Sequence, residues 1–308
     1  MKSAFIFPGQ GAQTVGMAKD ISENYPVAAA LFGKANDILG YNLSKLCFEG
    51  PQEKLSETSF SQPAIFTASA AILEVIKTQT DITPDVTAGL SLGEYTALYA
   101  AGLISFEEGL VLVNKRGIAM QAAADATEGS MVSIIGLDEE KTDALCAEAA
   151  QGQLLKPANY NCPGQIVISG DVDACNRAAE LAEKHGAMKA IVLQVAGAFH
   201  TEKMDPAAKN LKIALENAKI SDIQSVKVIA NINADYYTGP DDIRKGLERQ
   251  LVEPILWQKC MEKLLAEGVE DYYEIGPGRV LTGLMRRINR KTRVKNISDL
   301  KSLTTLLS

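Results

Sequence analysis

Hydrophobic and polar positions along the chain predict an alternation of short strands and longer helices. Residues 3–7 form an apolar run typical of a buried strand, and a glycine-containing loop follows at residues 8–13. Residues 60–78 are largely apolar over a helical length, and residues 105–124 carry apolar positions at three- and four-residue spacing. This order of elements is typical of an α/β protein.

The pattern changes between residues 129 and 195, where the predicted elements are shorter and follow each other closely. They are strand 131–136, helix 138–150, strands 154–160 and 165–169, helix 172–185 and strand 189–195. Their order, βαββαβ, is that of a ferredoxin-like unit.

Alternating helices and strands resume after this unit. The predicted elements there are helices 205–218, 254–267 and 279–290 and strands 226–232 and 271–275. We therefore predict an α/β-hydrolase-like large domain with a parallel sheet, formed by residues 1–126 and 197–308. Residues 127–196 are predicted to form an inserted, ferredoxin-like small domain.

The sequence GLSLG at residues 89–93 lies between a short β-branched run, residues 85–88, and a helical stretch, residues 92–101. A G-x-S-x-G pattern alone arises by chance, but a strand before it and a helix after it are the setting of a nucleophile elbow. Ser91 is therefore the candidate nucleophile. The backbone N–H of Leu92, at the helix start, is a candidate donor to an oxyanion.

The composition restricts the possible classes of function. With 46% hydrophobic and 22% charged residues, the chain of 308 residues is typical of a soluble globular protein. No apolar run long enough to cross a membrane stands out, and the first residues lack a signal-peptide pattern, so we expect a cytoplasmic protein without membrane contact. A formal net charge of −7 argues against nucleic-acid binding, which needs a basic face.

The cysteines indicate neither a disulfide framework nor a metal site, because they are odd in number, widely spaced and without a C-x-x-C pair. We expect reduced, buried thiols and no bound metal. The five residues are Cys47, Cys146, Cys162, Cys175 and Cys260.

A serine nucleophile needs a base, and the chain has only two histidines. His185 precedes a glycine at a predicted helix end, where an imidazolium favours the helix dipole. His200 lies in a small-residue loop at the predicted domain junction, and it is therefore the candidate base by elimination. The group that would orient its ring is left open: Asp205, Asp235, an amide or a backbone carbonyl are all compatible with the pattern.

Arg116 lies within an apolar stripe of the predicted helix 105–124, on the face that also carries Leu112, Val113 and Met120. In one interpretation the arginine packs its stem on the core and holds its guanidinium in water. In the other, the guanidinium is buried and awaits a carboxylate, which it can bind through two parallel hydrogen bonds.

With these three residues in place, the sequence resembles the malonyl-CoA:acyl-carrier-protein transacylases of fatty-acid synthesis, nearly from end to end. One departure is Leu90, where many members have histidine before the nucleophile and some bacterial members also have leucine. The matching segments are residues 7–11 with Gln13, residues 62–64, 89–95, 116–117 and 120–121, residues 161–170 and 197–200, Gln250 with Pro254 and Trp257, and residues 274–278.

The resemblance implies a two-step transfer through a malonyl-serine. Ser91 would attack malonyl-CoA, and His200 would take its proton, while the N–H groups of Leu92 and Gln10 form the oxyanion hole. Gln250 would help to orient the imidazole, since this family uses no aspartate for that purpose. The phosphopantetheine thiol of an acyl carrier protein would then accept the malonyl group. No bound cofactor is implied, and family members are commonly monomers.

The resemblance also implies the substrate pocket. Arg116 would pair with the free carboxylate of the malonyl group, and Gln10 and Gln62 would line the pocket around it. Met120 belongs to the motif that carries the arginine, and we expect it in the pocket too. Phe199 resembles the malonyl-type variant of this loop in related polyketide acyltransferases.

Three other functions share parts of these motifs. A serine hydrolase or thioesterase also uses G-x-S-x-G with a histidine, although no acidic third member follows at a recognisable position. An acyltransferase for another extender group, as in polyketide synthesis, would differ only in its pocket. A binding module without turnover would not need both Ser91 and His200.

A carrier protein of this pathway is strongly acidic, so an acidic transferase needs a local positive patch to bind it. We hypothesise that basic residues flank the cleft entrance, with Arg286, Arg287 and Lys189 as the main candidates. The alternative is a solvated helix end whose cations favour its dipole. The full basic set is Arg286, Arg287, Arg290, Lys291, Arg293 and Lys295, with Lys184 and Lys189 in the small domain.

Overall fold

The computed structural model describes residues 2–308. Its larger sheet has five strands in the order β7-β2-β1-β8-β9, and every neighbouring pair is parallel. These strands are short and covered by helices, as is usual for parallel sheets, and the central strands β1 and β2 are the most apolar. The predicted parallel sheet is confirmed. The strands are β1 (Lys2–Phe7), β2 (Val86–Gly89), β7 (Lys227–Val228), β8 (Val269–Ile275) and β9 (Val294–Ile297).

The smaller sheet is antiparallel, with the order β4-β5-β3-β6. Two helices pack on it around a separate apolar cluster. The order of elements is βαββαβ, so the predicted ferredoxin-like unit is confirmed, while its boundaries at residues 127 and 196 stay a prediction. The elements are β3 (Ser130–Ile135), α8 (Glu139–Ala150), β4 (Leu155–Cys162), β5 (Gln165–Gly170), α9 (Val172–Leu181) and β6 (Lys189–Val192).

The remaining helices surround the larger sheet, and several of them were not predicted from the sequence. The N-terminal helices are α1 (Lys19–Asn24), α2 (Pro26–Leu39), α3 (Leu43–Glu49), α4 (Gln52–Ser56), α5 (Thr58–Gln79), α6 (Gly93–Ala100) and α7 (Phe106–Ala126). The C-terminal helices are α10 (Asp205–Asn217), α11 (Pro240–Arg249), α12 (Trp257–Ala266), α13 (Val280–Ile288) and α14 (Leu300–Leu307), with a short 3₁₀ turn at Glu202–Met204.

Helix α5 corrects the expectation that no apolar run has the length of a membrane span. Among the described residues, α5 is the one helix that is long and apolar enough to cross a bilayer by length and composition. However, 83% of its most apolar stretch is buried inside the protein, where it packs against α2 and α7. Its apolar surface is therefore the centre of the large domain's core.

Several predicted elements are shorter than the sequence pattern indicates, since helix 172–185 ends at residue 181 and strand 189–195 ends at residue 192, and two more changes bear on the site. The strand expected over residues 226–232 contains only the two residues of β7, because the chain then leaves the sheet towards the elbow. The helix expected from residue 254 begins at Trp257. Residue Ile255 instead bonds to β4, accepting from the N–H of Tyr160 and donating to the carbonyl of Ala158, and this joins the segment before α12 to the smaller sheet beside the cleft.

Candidate active site

Ser91 lies in a strained turn at the carboxyl end of β2. Its φ is 52°, in the left-handed region that non-glycine residues rarely adopt. The turn is possible because α6 approaches β1 closely, and a Cβ on Gly93 would overlap the carbonyl of Phe7. Asn231 holds the turn, since its Oδ1 accepts from the Ser91 N–H at 2.7 Å and its Nδ2 donates to the Gly89 carbonyl at 2.8 Å.

His200 stands directly beside this serine. The distance between Ser91 Oγ and His200 Nε2 is 3.1 Å, and His200 Nδ1 lies 2.7 Å from the backbone carbonyl of Gln250. A carbonyl oxygen can only accept, so Nδ1 carries the proton and Nε2 is free to accept the serine proton. Asp235 is exposed and paired with Lys263, so it has no part in orienting the imidazole.

The orienting group in this arrangement is thus a main-chain carbonyl, not the side chain of Gln250. The side chain points elsewhere: its Oε1 accepts from Arg116 and its Nε2 donates to the carbonyl of Ser91 at 3.0 Å. Gln250 is fully buried, at the end of α11. One residue therefore contacts the base, the nucleophile and the arginine.

The surroundings keep His200 neutral. Burial and, to a lesser extent, the positive charge of Arg116 lower the pKa of His200 to about 3, against the opposing effect of the hydrogen bond to the Gln250 carbonyl. Because the charged form is disfavoured, the imidazole remains unprotonated at pH values well below the usual histidine pKa of about 6.5. His200 is therefore ready to accept a proton across the neutral range.

Arg116 is buried, with 1% of its surface exposed. Its Nη1 donates to Gln62 Oε1 at 2.8 Å, and its Nη2 donates to both Gln250 Oε1 and Ser91 Oγ at 2.9 Å. The interpretation in which the guanidinium reaches water is wrong. None of the ion pairs formed within residues 2–308 includes Arg116, and its Nε is buried without a partner.

These groups open into a cavity of about 330 Å³ between the two sheets. The large domain contributes the loop after β1, the elbow, α7 and α13, and the small domain contributes β4, β5 and residues 193–195. Gln10, Met120 and Phe199 line the cavity as predicted. Gln62 does not line it: this side chain is fully buried behind Arg116, and its Nε2 donates to the sulfur of Met120 at 3.3 Å.

Two backbone N–H groups suit an oxyanion hole. Within residues 2–308, neither the N–H of Gln10 nor that of Leu92 has a protein acceptor. The loop that carries Gln10 presses against the elbow so closely that a Cβ on Gly9 would overlap the carbonyl of Leu90. The side chain of Gln10 is anchored by a bond from its Nε2 to Thr58 Oγ1 at 3.3 Å.

Sequence reasoning missed three polar residues under this site, namely Glu94, Asn231 and Tyr237. All three are buried, and their side chains bond to one another or to the elbow. A signal was present for Glu94, because it is the one charged residue of a helix that is otherwise uncharged. Nothing in the pattern around Asn231 distinguished it from a strand residue.

The predicted docking residues fall into two groups. Arg287 lies near the cavity mouth, where it donates to Gln165 Oε1 at 3.1 Å and to the Gly164 carbonyl at 3.3 Å, and both Arg286 and Lys189 are exposed. Lys184 does not flank the cleft freely, because it pairs with Glu148 on α8 at 2.6 Å. Lys295 is likewise paired, with Asp271 at 3.2 Å.

Comparison with known proteins gives consistent matches. The family profile described as Acyl transferase domain matches residues 4–306. A malonyl CoA-acyl carrier protein transacylase from Bacillus subtilis (strain 168) is 46% identical over 299 residues, which cover 97% of this chain and 94% of that protein. The solved malonyl CoA-acyl carrier protein transacylase from Coxiella burnetii has a TM-score of 0.96 at 37% identity, covering 100% of this chain and 97% of its own.

A further solved structure contains a carrier protein. It is described as a type II PKS acyl-carrier protein in complex with its malonyl-transacylase, and its match has a TM-score of 0.95 at 40% identity. The match covers 100% of this chain and 99% of that chain. Sequence and fold are therefore shared over nearly the whole length.

The state of His200 is directly measurable, because only two histidines are present. In protein labelled with ¹⁵N-histidine, we expect the His200 signals to show a proton on Nδ1 and none on Nε2 from about pH 7.5 down to about pH 5. The variant His185→Gln identifies which signals belong to His200. Protonation of both ring nitrogens near the ordinary value of about 6.5 would contradict this account.

Proposed function

This chain belongs to the acyl transferase domain family, and on that basis we propose that it transfers malonyl from malonyl-CoA to the phosphopantetheine thiol of an acyl carrier protein. The observation that carries the proposal is the buried guanidinium of Arg116, 2.9 Å from the nucleophilic oxygen of Ser91 and without a carboxylate partner. The names of the relatives support it.

The first half-reaction acylates the serine. Ser91 Oγ attacks the thioester carbonyl as its proton passes to His200 Nε2, and the negative charge on the former carbonyl oxygen is met by the N–H groups of Gln10 and Leu92. The C–S bond then breaks, and His200 returns the proton to the departing coenzyme A sulfur. The product is a malonyl ester on Ser91.

The second half-reaction runs in the opposite sense. The phosphopantetheine thiol gives its proton to His200 Nε2 and its sulfur attacks the ester carbonyl. The oxyanion is held as before, and collapse breaks the bond to Ser91 Oγ, which recovers the proton from His200. Both half-reactions need a neutral imidazole at the start, which agrees with the lowered pKa of His200.

The free carboxylate of the malonyl group accounts for selectivity. Arg116 donates to neutral acceptors only, so an incoming carboxylate would give it its first anionic partner in direct contact. An acetyl group would leave the buried charge without that partner. Sites built around a specific polar partner reject analogues that lack it by roughly 10⁴-fold.

A hydrolase is less well supported, because hydrolysis of a neutral ester gives a buried arginine no role. We assign the malonyl product to fatty-acid synthesis, while the same transfer serves a type II PKS carrier in one of the matching complexes. We further propose a cytoplasmic monomer without a bound cofactor. All five cysteines are free and buried, which suits a reducing compartment, and the cavity is complete within one chain.

We propose that the carrier docks at one side of the cleft mouth. There, Gly164 links two neighbouring features: its carbonyl accepts from Arg287 and from the N–H of Gly136. Gly136 in turn packs against Met188, which is 85% exposed and adjoins Lys189 at the start of β6. Positively charged side chains around an exposed methionine suit an acidic partner that also places an apolar side chain on the methionine.

The transfer itself is tested by intact-mass analysis. After brief incubation with malonyl-CoA, we expect the protein to gain one malonyl group on Ser91, and a chase with phosphopantetheinylated carrier should remove it. Acetyl-CoA should give little adduct, Ser91→Ala none, and Arg116→Leu about 10³-fold less malonyl adduct. An adduct that decays equally fast with and without carrier would indicate a hydrolase, and the absence of any adduct would refute the assignment of Ser91.

The docking surface is tested by charge reversal. For Arg287→Glu combined with Lys189→Glu, we expect the KM for carrier protein to rise about tenfold while the KM for malonyl-CoA stays unchanged, and the salt dependence should weaken. Lys301→Glu, an exposed lysine on α14, is the matched control. If the wild type, the double variant and Lys301→Glu have the same KM for carrier protein at low and at high salt, the carrier docks on another surface.

A further inference from the structure

Glu94 is a fully buried carboxyl group directly behind the nucleophile elbow. Three donors converge on it: the hydroxyl of Tyr237, the backbone N–H of Asn231 at 3.0 Å and the side-chain Nε2 of Gln250 at 2.9 Å. A buried carboxylate is costly unless hydrogen bonds replace its water. Donors on both oxygens are the arrangement that suits the ionised, acceptor-only form.

Two of these donors lead on to the reacting groups. Asn231 holds the backbone of Ser91 through its side-chain oxygen. Gln250 holds His200 through its carbonyl and Arg116 through its Oε1. The nucleophile, the base and the arginine are therefore each one residue away from the Glu94 carboxylate, which bonds to none of them directly; only the backbone N–H of Glu94 reaches the elbow, donating to the Ser91 carbonyl at 3.1 Å.

The Gln250 amide lies between two buried charges of opposite sign. Its NH₂ group faces the carboxylate of Glu94 and its oxygen faces the guanidinium of Arg116. Both charges favour this orientation of the amide over the flipped one, and together they fix the direction in which it points. Glu94 can thus balance the charge of Arg116 without occupying the side of the guanidinium that faces the cavity.

We propose that Glu94 is a positioning residue of the transfer reaction. Its carboxylate fixes the positions of Gln250 and Asn231. Through these two residues it fixes the geometry of Ser91, His200 and Arg116. It also supplies the counter-charge of the arginine. The proposal rests on the proposed function, because it concerns the same site.

The ionisation of Glu94 falls within the range where enzymes are assayed. Burial raises the pKa of Glu94 to about 7, against the lowering effects of its bonds to Tyr237, Gln250 and Asn231 and of the charge on Arg116. Above that pH the carboxylate accepts from its three donors. Below it, the added proton weakens the bonds from these donors and removes the counter-charge of Arg116, so transfer should slow as the pH falls.

Other titrating groups around Glu94 do not explain such a change. Tyr237 from the loop after β7, Tyr95 on α6 and Cys260 on α12 all have a pKa raised by burial and remain neutral. Arg116 on α7 stays charged. His200 keeps its neutral form because its pKa is lowered, so we assign the expected loss of activity in acid to Glu94.

The test is the pH dependence of kcat/KM for malonyl-CoA in the transfer reaction, measured between about pH 5.5 and 8.5. In the wild type we expect activity to rise through a single step near pH 7. In Glu94→Gln the step should vanish, with kcat about tenfold below the wild type at high pH and the KM for malonyl-CoA within about threefold. The glutamine is of equal size and can bond to the same neighbours, since the Tyr237 hydroxyl also accepts.

Two further variants separate positioning from general structure. Tyr237→Phe removes a hydrogen bond that lowers the pKa of Glu94, so the rise in activity of this variant should move to higher pH. Glu74→Gln is the matched control, because Glu74 also accepts from a tyrosine, Tyr99 at 2.8 Å, and lies on α5 outside the cavity. Its profile should equal that of the wild type.

The proposal is overturned if Glu94→Gln keeps the step, or keeps wild-type activity at every pH. Its failure is distinguishable from failure of the proposed function. If the wild type loads no malonyl, the same variants are compared in the rate at which phenylmethylsulfonyl fluoride, a neutral serine reagent, inactivates Ser91. That rate needs neither coenzyme A nor a malonyl carboxylate, and it should show the same step in the wild type and no step in Glu94→Gln.

Discussion

The burial of a positive charge among neutral acceptors is the constraint on which this site depends. Arg116 has lost its water, yet its hydrogen bonds go to Gln62, Gln250 and Ser91 rather than to a carboxylate. A buried charge in this state gains most from a ligand that brings an anion. The same charge helps to keep His200 neutral. Substrate choice and base strength therefore have a common physical origin.

The remainder of the site replaces the acidic member of a hydrolase triad with amides and main-chain groups. A carbonyl orients the imidazole, an asparagine side chain holds the strained serine, and the one acidic group, Glu94, lies behind them. An aspartate on the imidazole would raise its pKa and compete for the guanidinium. Carbonyl orientation keeps the tautomer without adding negative charge where a malonyl carboxylate must bind.

Much of the fold and part of the site could be predicted because the signals were local. The elbow around Ser91 combines a strand, two glycines and a helix, and His200 follows from there being two histidines. The rest depends on tertiary contacts: β7 ends after two residues as the chain turns to bring Asn231 to the elbow, and α12 begins at Trp257 rather than at residue 254 because Ile255 bonds to β4. The part played by the Gln250 carbonyl involves a main-chain atom, which residue identity does not encode.

The most direct test is calorimetric binding to the Ser91→Ala variant, which cannot be acylated. Two charge-assisted hydrogen bonds at about 1.5 kcal/mol each correspond to roughly 100-fold in affinity. We therefore predict that malonyl-CoA binds this variant about 100-fold more tightly than acetyl-CoA, and that adding Arg116→Leu removes the difference. Equal affinities for the two thioesters with Arg116 intact would contradict the account, since the buried charge would then not be what recognises the substrate.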